Sequence, residues 1–383
     1  MSKHKKLWIF AGETSGDMYG ARLAREVKSI MGDDVSISGM GASQMADAGV
    51  DLLVDSTELG VMGFIEVLKM IRTFRKIFKD LEARALVERP DAVVLIDYPG
   101  FNLRFAKKMH EHGIPVIWYI SPQVWAWKKG RIPVLAEVVD KMMCIFPFEV
   151  ETYGETDLDI EFIGHPLVHE IREQMDNSII RDDQTILLLP GSRTNEVKKL
   201  LSPMLDTAQR MYKKNNQLKF VISAPREKIV GQIKEICDDF LSDISASEQP
   251  PIEISCGKTR YWMQKATAGI AASGTVTVEC AISGLPLVVT YKMNPITFKI
   301  AERVVKLDYF TMVNILAKKM IYEEFLQGDV NGETLSIAVE KILLGGERRS
   351  EVENGIAGVI ESISGGTEGA AKRAAGICSD FIS

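Results

Sequence analysis

The sequence predicts an α/β protein with two doubly wound halves, each built on a parallel sheet covered by helices on both faces. Short apolar segments rich in β-branched residues alternate with longer segments of helical period, and that alternation is typical of strand–helix–strand units. This alternation of strands and helices is interrupted after residue 163 and begins again at residue 185. The length of 383 residues fits two to three domains of about 150 residues each.

The predicted elements follow from the position of the apolar runs. In the first half we expect strands at 7–11, 35–39, 92–97, 116–120, 142–146 and 160–163. Helical periodicity fills the intervening stretches, as at 18–30 and 103–112. In the second half we expect strands at 185–189, 219–223, 252–255, 268–272 and 287–290. Two further helices, 335–344 and 370–382, follow without strands between them.

A domain boundary is predicted within 164–177, where Gly-His-Pro leads into charged and polar residues. We therefore expect one domain at 1–168 and a second at 169–350. The C-terminal helices of 351–383 could pack on either half, and we place them against the first.

Composition excludes several classes of protein. The chain has 46 Lys and Arg against 52 Asp and Glu, a net charge of −6, so no overall positive field is present to hold nucleic acid. The five cysteines are odd in number and form no C-x-x-C pair, which favours a reducing compartment over a disulfide framework or a zinc ribbon. No window approaches about 18 uninterrupted apolar residues, so we expect no transmembrane helix.

The first strand-to-helix junction reads Gly-Glu-Thr-Ser-Gly-Asp at 12–17. Ligands of doubly wound folds lie beyond the carboxyl ends of the strands, so Glu13, Ser15 and Asp17 are candidate site residues. A capped helix start explains Ser15 and Asp17 about equally well. The glycine spacing is not G-x-G-x-x-G, which disfavours a dinucleotide cofactor.

The second junction places Asp97 directly after an apolar strand. Burial raises the pKa of a carboxyl group toward the working pH, so this position suits a general base. The alternative is an Asp that caps the helix beginning near Phe101.

The third junction, Pro-Gly-Ser-Arg at 190–193, enters a helix that contains Glu196. Ser192 and Arg193 would lie beside free backbone N–H groups, an arrangement that holds phosphate.

The fourth junction has Ser273, Gly274 and Thr275 at a helix start, with Glu279 one turn inside. A diphosphate could lie on these amides while Glu279 accepts both hydroxyls of a ribose. Together, the third and fourth junctions favour a nucleotide diphosphate as the ligand of the second half.

The segment 59–81 is predicted to be a basic amphipathic helix that contacts anionic lipid or acyl chains. At helical spacing an apolar stripe opposes a basic face. The stripe comprises Val67, Met70, Ile71, Phe74, Ile77, Phe78 and Leu81, and the basic face comprises Lys69, Arg72, Arg75, Lys76 and Lys79. Met62 and Phe64 lie just before it. The alternative is a helix that packs on the core through its apolar stripe.

No metal site is expected. His165 and His169 have the spacing of helical ligands, but Pro166 between them and the absence of an obvious third ligand argue against one. Asp157 and Asp159 form a D-x-D pair within an acidic stretch that a solvated turn explains.

In their order and spacing these motifs resemble the lipid A disaccharide synthase family of Gram-negative bacteria, over nearly the whole chain. The matching pieces are 12–17, 61–63, 96–102, 121–127, 146–149, 162–166, 189–193 and 273–275 with Glu279, together with Asn314. Any one of them alone is weak, whereas the set is specific.

The resemblance implies a GT-B fold, with two Rossmann-like domains facing a central cleft, the acceptor bound by the first and the nucleotide sugar by the second. It implies an inverting hexosyltransferase that joins UDP-2,3-diacylglucosamine to 2,3-diacylglucosamine 1-phosphate, releasing UDP and a β-1,6 disaccharide. It also implies no cofactor, a peripheral location on the cytoplasmic face of the inner membrane, and leaves a homodimer open.

Carried over residue by residue, the resemblance makes Asp97 the essential aspartate and Arg193 the contact to the nucleotide phosphates. Glu279 and Asn314 match other residues of the cleft. Trp125 and Trp127 would pack against sugar or acyl chain, with core packing as the alternative. Glu13 and Asp17 remain alternative bases.

Three rival functions are weighed against this one. Another GT-B enzyme of UDP-sugars, such as a peptidoglycan-type N-acetylglucosaminyltransferase or an epimerase, would share the nucleotide site, but a soluble epimerase has no use for a basic apolar helix. A nicotinamide-dependent oxidoreductase lacks its glycine motif here. A non-catalytic lipid-binding protein leaves Arg193, Glu279 and Asn314 unexplained as a nucleotide-binding set.

Overall fold

The computed structural model describes residues 4–59, 64–127, 129–294, 298 and 307–383, and leaves the side chains of 14, 58, 59, 64–72 and 127 undescribed. The chain forms two compact units. Unit 1 comprises Met1–Pro166 with Ile363–Ser383, and unit 2 comprises Leu167–Ser362. The division between the units falls at Pro166, and the chain returns to unit 1 at Ile363 rather than at the predicted 351.

Unit 1 is a doubly wound α/β unit. Its strands are β1 (Lys5–Ala11), β2 (Val35–Gly41), β3 (Asp51–Asp55), β4 (Ala92–Ile96), β5 (Val116–Tyr119), β6 (Lys141–Cys144) and β7 (Ile160–Phe162). Its helices are α1 (Thr14–Met31), α2 (Ser43–Asp47), α3 (Phe64–Glu88), α4 (Pro99–Glu111), α5 (Val124–Trp127), α6 (Ile132–Val138) and α7 (Phe148–Thr152). All strand pairs are parallel, in the order β3-β2-β1-β4-β5-β6-β7.

Unit 2 repeats this plan. Its strands are β8 (Asp182–Leu189), β9 (Lys219–Ala224), β10 (Ile252–Cys256), β11 (Ala266–Ala272), β12 (Leu287–Tyr291) and β13 (Glu323–Leu326). Its described helices are α8 (Pro166–Gln174), α9 (Thr194–Lys214), α10 (Val230–Ser242), α11 (Thr259–Lys265), α12 (Thr275–Ile282), α13 (Met312–Ala317), α14 (Gly332–Ile342) and α15 (Arg349–Ile363). The parallel order is β10-β9-β8-β11-β12-β13. The prediction of two doubly wound α/β halves is confirmed.

The sequence missed one edge strand in each sheet, β3 and β13. Neither strand has a buried residue, whereas all five residues of the central strand β4 are buried. Because edge strands are covered on fewer sides, they carry weaker apolar patterns, and their pairing is decided by the neighbouring strand.

One core layer of unit 1 lies between its sheet and the helices α3, α4 and α6. Phe10 and Phe105 are fully buried, with ring centroids 4.7 Å apart. Phe78 of α3 meets Phe105 edge-on at 5.7 Å. Burial of such a side chain stabilises the fold by about 1.5–3 kcal/mol, so this aromatic cluster fixes α3 and α4 on the sheet.

The last helix, α16 (Ala370–Ile382), packs on α1 in unit 1. The chain enters it through a close backbone crossing at Gly164 and Gly365, which have φ of +91° and +66°. A Cβ atom at Gly365 would lie 2.4 Å from the Cα atom of Gly164, so only glycine permits this approach. Arg373 secures the crossing by donating to the carbonyl of Gly365 at 2.6 Å and to Glu161 at 3.2 Å.

Candidate active site

Each sheet reverses its strand order at one point, between β1 and β4 in unit 1 and between β8 and β11 in unit 2. Crevices at such switch points, beyond the carboxyl ends of the strands, are where doubly wound folds bind ligands. The junctions after these four strands carry Glu13, Asp97, Arg193 and Ser273. The topology therefore places the four predicted junctions at the two switch points.

Asp97 lies in a strained turn between β4 and α4. Asp97 and Tyr98 have φ of 45° and 46°, in the left-handed region that residues with a Cβ atom rarely adopt. The buried amide of Asn102 holds the turn, because its Nδ2 atom donates to the carbonyls of Ile96 at 3.1 Å and Asp97 at 2.7 Å. Strain that the surroundings hold in this way is typical of functional positions.

The environment of Asp97 suits a general base. Burial raises the pKa of this carboxyl group, the negative charge of Glu13 raises it further, and the backbone N–H of Tyr98 opposes both. Asp97 is only partly buried, so its carboxylate stays accessible. Glu13 is exposed at the start of α1, and Ser15 is exposed in the first turn of that helix.

Asp17 has a structural role that differs from the candidate catalytic one. The residue is 2% exposed, and its carboxylate accepts from the backbone N–H groups of Ala42 at 2.6 Å, Gln44 at 3.1 Å and Met45 at 3.2 Å. It therefore caps α2, which lies about 25 residues further along the chain. The alternative interpretation was that Asp17 caps a helix. It does cap a helix, but that helix is α2 rather than α1, in which Asp17 stands.

In unit 2 the switch point forms a cavity of about 390 Å³. The cavity collects residues from the junctions that follow four strands, β8, β9, β10 and β11. It is lined by Leu189, Gly191, Ser192, Arg193, Glu196, Ser223, Pro225, Thr259, Met263, Ala272, Ser273, Gly274, Thr275, Val276 and Glu279. All six residues predicted to bind nucleotide from the third and fourth junctions are among them.

At the α9 entrance the backbone amides are not free, contrary to expectation. Glu196 accepts from the N–H groups of Ser192 at 3.0 Å and Arg193 at 3.3 Å, and also pairs with the Arg193 guanidinium at 2.8 Å. Gly191, with φ of 118°, makes room for this carboxylate, since a Cβ atom there would lie 2.6 Å from its Oε2 atom. The side chain of Arg193 is 78% exposed, so a ligand in the cavity can reach it.

The α12 entrance is the better anion site. Gly274 precedes the helix without a side-chain cap, and the amides of Thr275 and Val276 begin it at the wall of the cavity. The first N–H groups of a helix have no partner within the helix and carry its positive dipole end. A phosphate placed there would accept hydrogen bonds from these N–H groups.

Glu279 lies one turn into α12, at the wall of the cavity. Burial raises the pKa of its carboxyl group, and the nearby Arg260 guanidinium counteracts this. Arg260 approaches Glu279 at 3.5 Å and Glu170 at 2.7 Å. Arg260 was not predicted as a site residue, because its anchor Glu170 lies 90 residues earlier in the chain and no local pattern joins the two.

Asn314 does not line the cavity, contrary to its assignment as a nucleotide ligand. Its Nδ2 atom donates to the carbonyl of Tyr322 at 2.8 Å and to Glu324 at 2.7 Å, while its Oδ1 atom accepts from the N–H groups of Ile321 at 2.8 Å and Tyr322 at 2.9 Å. These four bonds use the full hydrogen-bonding capacity of an asparagine amide. Asn314 therefore organises the chain between α13 and β13.

The predicted lipid contacts divide in two. Met62, like the side chain of Phe64, lies outside the described residues. Phe74 and Phe78 are half-buried against the core of unit 1, as the core-packing alternative predicts. On the other side of α3, Arg75, Lys76 and Lys79 are exposed.

No helix among the described residues combines the length and apolarity that a bilayer span needs.

Trp125 belongs to an aromatic cluster at the carboxyl end of β6. Its ring meets Phe148 edge-on at 5.1 Å, and Phe148 stacks on Phe146 at 5.7 Å. Beside them the buried carboxyl of Glu149 accepts from the N–H of Phe146 at 3.1 Å, and burial raises its pKa to about 8. Glu149 stands in the motif 146–149, but no local pattern predicts that its carboxyl group is buried.

His165 completes the cluster, 5.3 Å from Phe146, and burial lowers its pKa to about 4. A neutral, packed histidine fits a structural role. Over the described part of the chain, no group of three or more His, Cys, Asp or Glu side chains is placed to hold a metal ion.

The chain is similar over its full length to curated lipid-A-disaccharide synthases. It is 33% identical to the enzyme of Geobacter sulfurreducens over 98% of this chain and 97% of that one. It is 35% identical to the enzyme of Trichlorobacter lovleyi over 100% and 99% of the two chains.

Solved structures with the same fold include the glycotransferase of kitacinnamycin, with a TM-score of 0.65 and 15% identity over 98% of both chains. They also include the UDP-GlcNAc 2-epimerase of Neisseria meningitidis bound to UDP-GlcNAc, with a TM-score of 0.61 and 12% identity over 98% of both chains. At this identity the likeness shows the fold alone, and it confirms the GT-B class. Since the lipid-A-disaccharide synthetase family model matches residues 7–377, this chain belongs to that family of UDP-sugar-dependent glycosyltransferases.

Proposed function

We propose that this chain transfers 2,3-diacylglucosamine from UDP-2,3-diacylglucosamine to 2,3-diacylglucosamine 1-phosphate, forming the β-1,6 disaccharide 1-phosphate and UDP. Family membership supports the reaction class. The observation that carries the donor assignment is the cavity of unit 2, where an uncapped helix start, an exposed arginine and a partly buried carboxylate meet. These groups match a diphosphate and a ribose.

In unit 2 the diphosphate of the donor lies on the amides of Thr275 and Val276, with the Arg193 guanidinium across from them. Glu279 accepts the two ribose hydroxyls. As the bond to the sugar breaks, the electron pair and negative charge pass to the diphosphate of UDP. Helix amides and a guanidinium stabilise that charge most strongly when it has fully developed, which is the condition for catalysis by charge stabilisation.

In unit 1 Asp97 acts as the base. The acceptor hydroxyl loses its proton to the Asp97 carboxylate while its oxygen forms the new bond to the anomeric carbon, opposite the departing UDP. This displacement inverts the anomeric centre. The raised pKa of Asp97 supports the role, because a base works best when its pKa approaches the working pH. Glu13 remains the alternative base, whereas the hydrogen bonds of Asp17 leave it no free role.

The assay incubates the purified protein with both acylated substrates and follows UDP and the disaccharide by mass spectrometry. A parallel incubation with UDP-GlcNAc alone tests for epimerisation. We expect disaccharide with one UDP per turnover, and no epimer. Intact UDP binding without disaccharide would refute the proposed reaction, and an epimer would replace it.

The chain is also proposed to act at the cytoplasmic face of the inner membrane, where its acylated substrates would reside. Exposed Arg75, Lys76 and Lys79 on α3 support this, because basic residues near an anionic surface contribute about 1 kcal/mol each. Reversing these three charges to Glu should weaken sedimentation with vesicles of anionic phospholipid.

The matched control also reverses three charges, at Lys234, Lys318 and Lys319, which are exposed in unit 2. Equal sedimentation of both variants would contradict a role for α3. Substitution of Phe74 or Phe78 is unsuitable here, since it would disturb the core.

A further inference from the structure

Behind the cavity of unit 2 three charged side chains from three helices form a row. Glu170 of α8 accepts from the Nη1 atom of Arg260 at 2.7 Å, and the Nε atom of Arg260 lies 3.5 Å from the Oε2 atom of Glu279. Gln174 of α8 accepts a further bond from Arg260. Of the three, only Glu279 lines the cavity.

The row is mostly withdrawn from water. The side chains of Glu170, Arg260 and Glu279 are 4%, 30% and 23% exposed. A carboxylate in such surroundings tends to take up a proton unless a cation lies beside it. A protonated Glu279 would lose one of the two acceptors that a pair of ribose hydroxyls requires.

The distances from Arg260 to its partners indicate two different roles for its guanidinium. Its short bonds go to α8, through Glu170 and Gln174, and anchor the guanidinium. Its contact with Glu279 is long, an ion pair rather than a strong hydrogen bond, and leaves the carboxylate lone pairs for a ligand. An arginine of α11 that served only to join α8 and α12 would be expected to form short bonds to both carboxylates, Glu170 and Glu279.

We propose that Arg260, anchored by Glu170, is a positioning residue that keeps Glu279 ionised and aimed into the cavity, and thereby makes the site selective for ribonucleotides over 2′-deoxynucleotides. The proposal rests on the proposed nucleotide site. Arg260 touches no substrate and acts through Glu279.

The charges that face Glu279 support this role. Arg260 is the group that most lowers the pKa of Glu279, and the like charge of Glu170 raises it to a smaller extent. The thiol of the adjacent Cys280 is fully buried, and its pKa is raised well above the usual value, so it stays neutral. Removing Arg260 therefore leaves burial and Glu170, which both favour the protonated form of Glu279.

The test measures the affinities of UDP and 2′-deoxy-UDP by calorimetry, from about pH 6 to about pH 9, for the full chain and Arg260→Gln. We expect the unaltered protein to prefer UDP. In Arg260→Gln the affinity for UDP should fall about tenfold or more near neutral pH, as for loss of a charged hydrogen bond, and recover at higher pH as Glu279 ionises. The affinity for 2′-deoxy-UDP should change little.

Two further variants separate positioning from a structural role. Arg260→Lys keeps the charge and should retain part of the preference. In a Glu279→Gln background, Arg260→Gln should have no further effect on selectivity, because residues that act through one another are not additive. Equal weakening of both nucleotides, independent of pH, would assign Arg260 to stability alone and overturn the proposal.

The outcomes also distinguish a failure of this proposal from a failure of the proposed nucleotide site on which it rests. Binding of UDP without any preference over 2′-deoxy-UDP refutes the role of Arg260 and leaves the nucleotide site in place. Failure of the unaltered protein to bind UDP refutes both.

Discussion

Units 1 and 2 share one winding and place their candidate residues at the same topological position, yet the chemistry there is opposite. The switch point of unit 1 has two carboxylates, Glu13 and Asp97, in mutual repulsion. The switch point of unit 2 has helix amides and the guanidinium of Arg193. The fold therefore decides where a ligand is met, and the residues at the strand ends decide which ligand it is.

The junction after β4 in unit 1 and the junction after β8 in unit 2 also differ in backbone conformation. Unit 1 uses two residues with side chains, Asp97 and Tyr98, at positive φ, and holds them with the buried Asn102. Unit 2 uses Gly191, whose missing Cβ atom admits the Glu196 carboxylate. A residue with a Cβ atom at positive φ costs about 1–2 kcal/mol of backbone strain, which unit 1 tolerates because the turn needs the side chain of Asp97. Unit 2 avoids this strain with a glycine, which also leaves room for the carboxylate of Glu196.

The largest effect is expected from Asp97→Asn, which tests whether the chemistry belongs to unit 1. An amide cannot take the proton of the acceptor hydroxyl, so turnover should fall by about 10²–10⁴-fold while UDP affinity stays unchanged. Single-turnover kinetics and calorimetry measure the two quantities. The control is Asp33→Asn, an exposed carboxylate of unit 1 that should behave as the unaltered protein. Full turnover of Asp97→Asn would move the base elsewhere, with Glu13 the next candidate.

A smaller effect is expected from Arg193→Ala, which tests whether unit 2 holds the diphosphate. Loss of a charged hydrogen bond of about 1.5–3 kcal/mol should weaken UDP binding about 10–100-fold, and Arg193→Lys should recover part of it. Uridine, which has no phosphate, should distinguish the variants little. The exposed Arg210 of α9 is the matched control. An unchanged affinity in Arg193→Ala would remove this residue from the phosphate site.

The smallest effect is expected from Glu13→Gln, which tests the electrostatic coupling within unit 1. The Glu13 charge contributes to the raised pKa of Asp97, second to burial, so its removal stabilises the ionised form and lowers that pKa. Because the base must be ionised, the acid limb of the profile of kcat/KM against pH should move to lower pH. Asp33→Asn should leave the limb in place. Loss of nearly all turnover would instead identify Glu13 as the base.

Polar residues show where sequence reasoning was weakest. Asp17 and Asn314 stand in motifs beside the predicted site, yet both are buried and use their oxygens on backbone groups. A motif identifies a residue that must be polar, but a polar residue that shapes a loop and one that binds a ligand have the same local pattern. Only the list of partners separates them.

The sequence by itself determined the two α/β halves, the family and the junctions that carry the candidate site. Apolar strands and glycine-rich turns are local signals, because each depends on the residue types within a few positions. Tertiary structure alone decided the pairing of the edge strands β3 and β13, the capping of α2 by Asp17, and the row of Glu170, Arg260 and Glu279. Each of these joins residues distant in the chain through a hydrogen bond or a charge, and such contacts form only when packing brings the elements together.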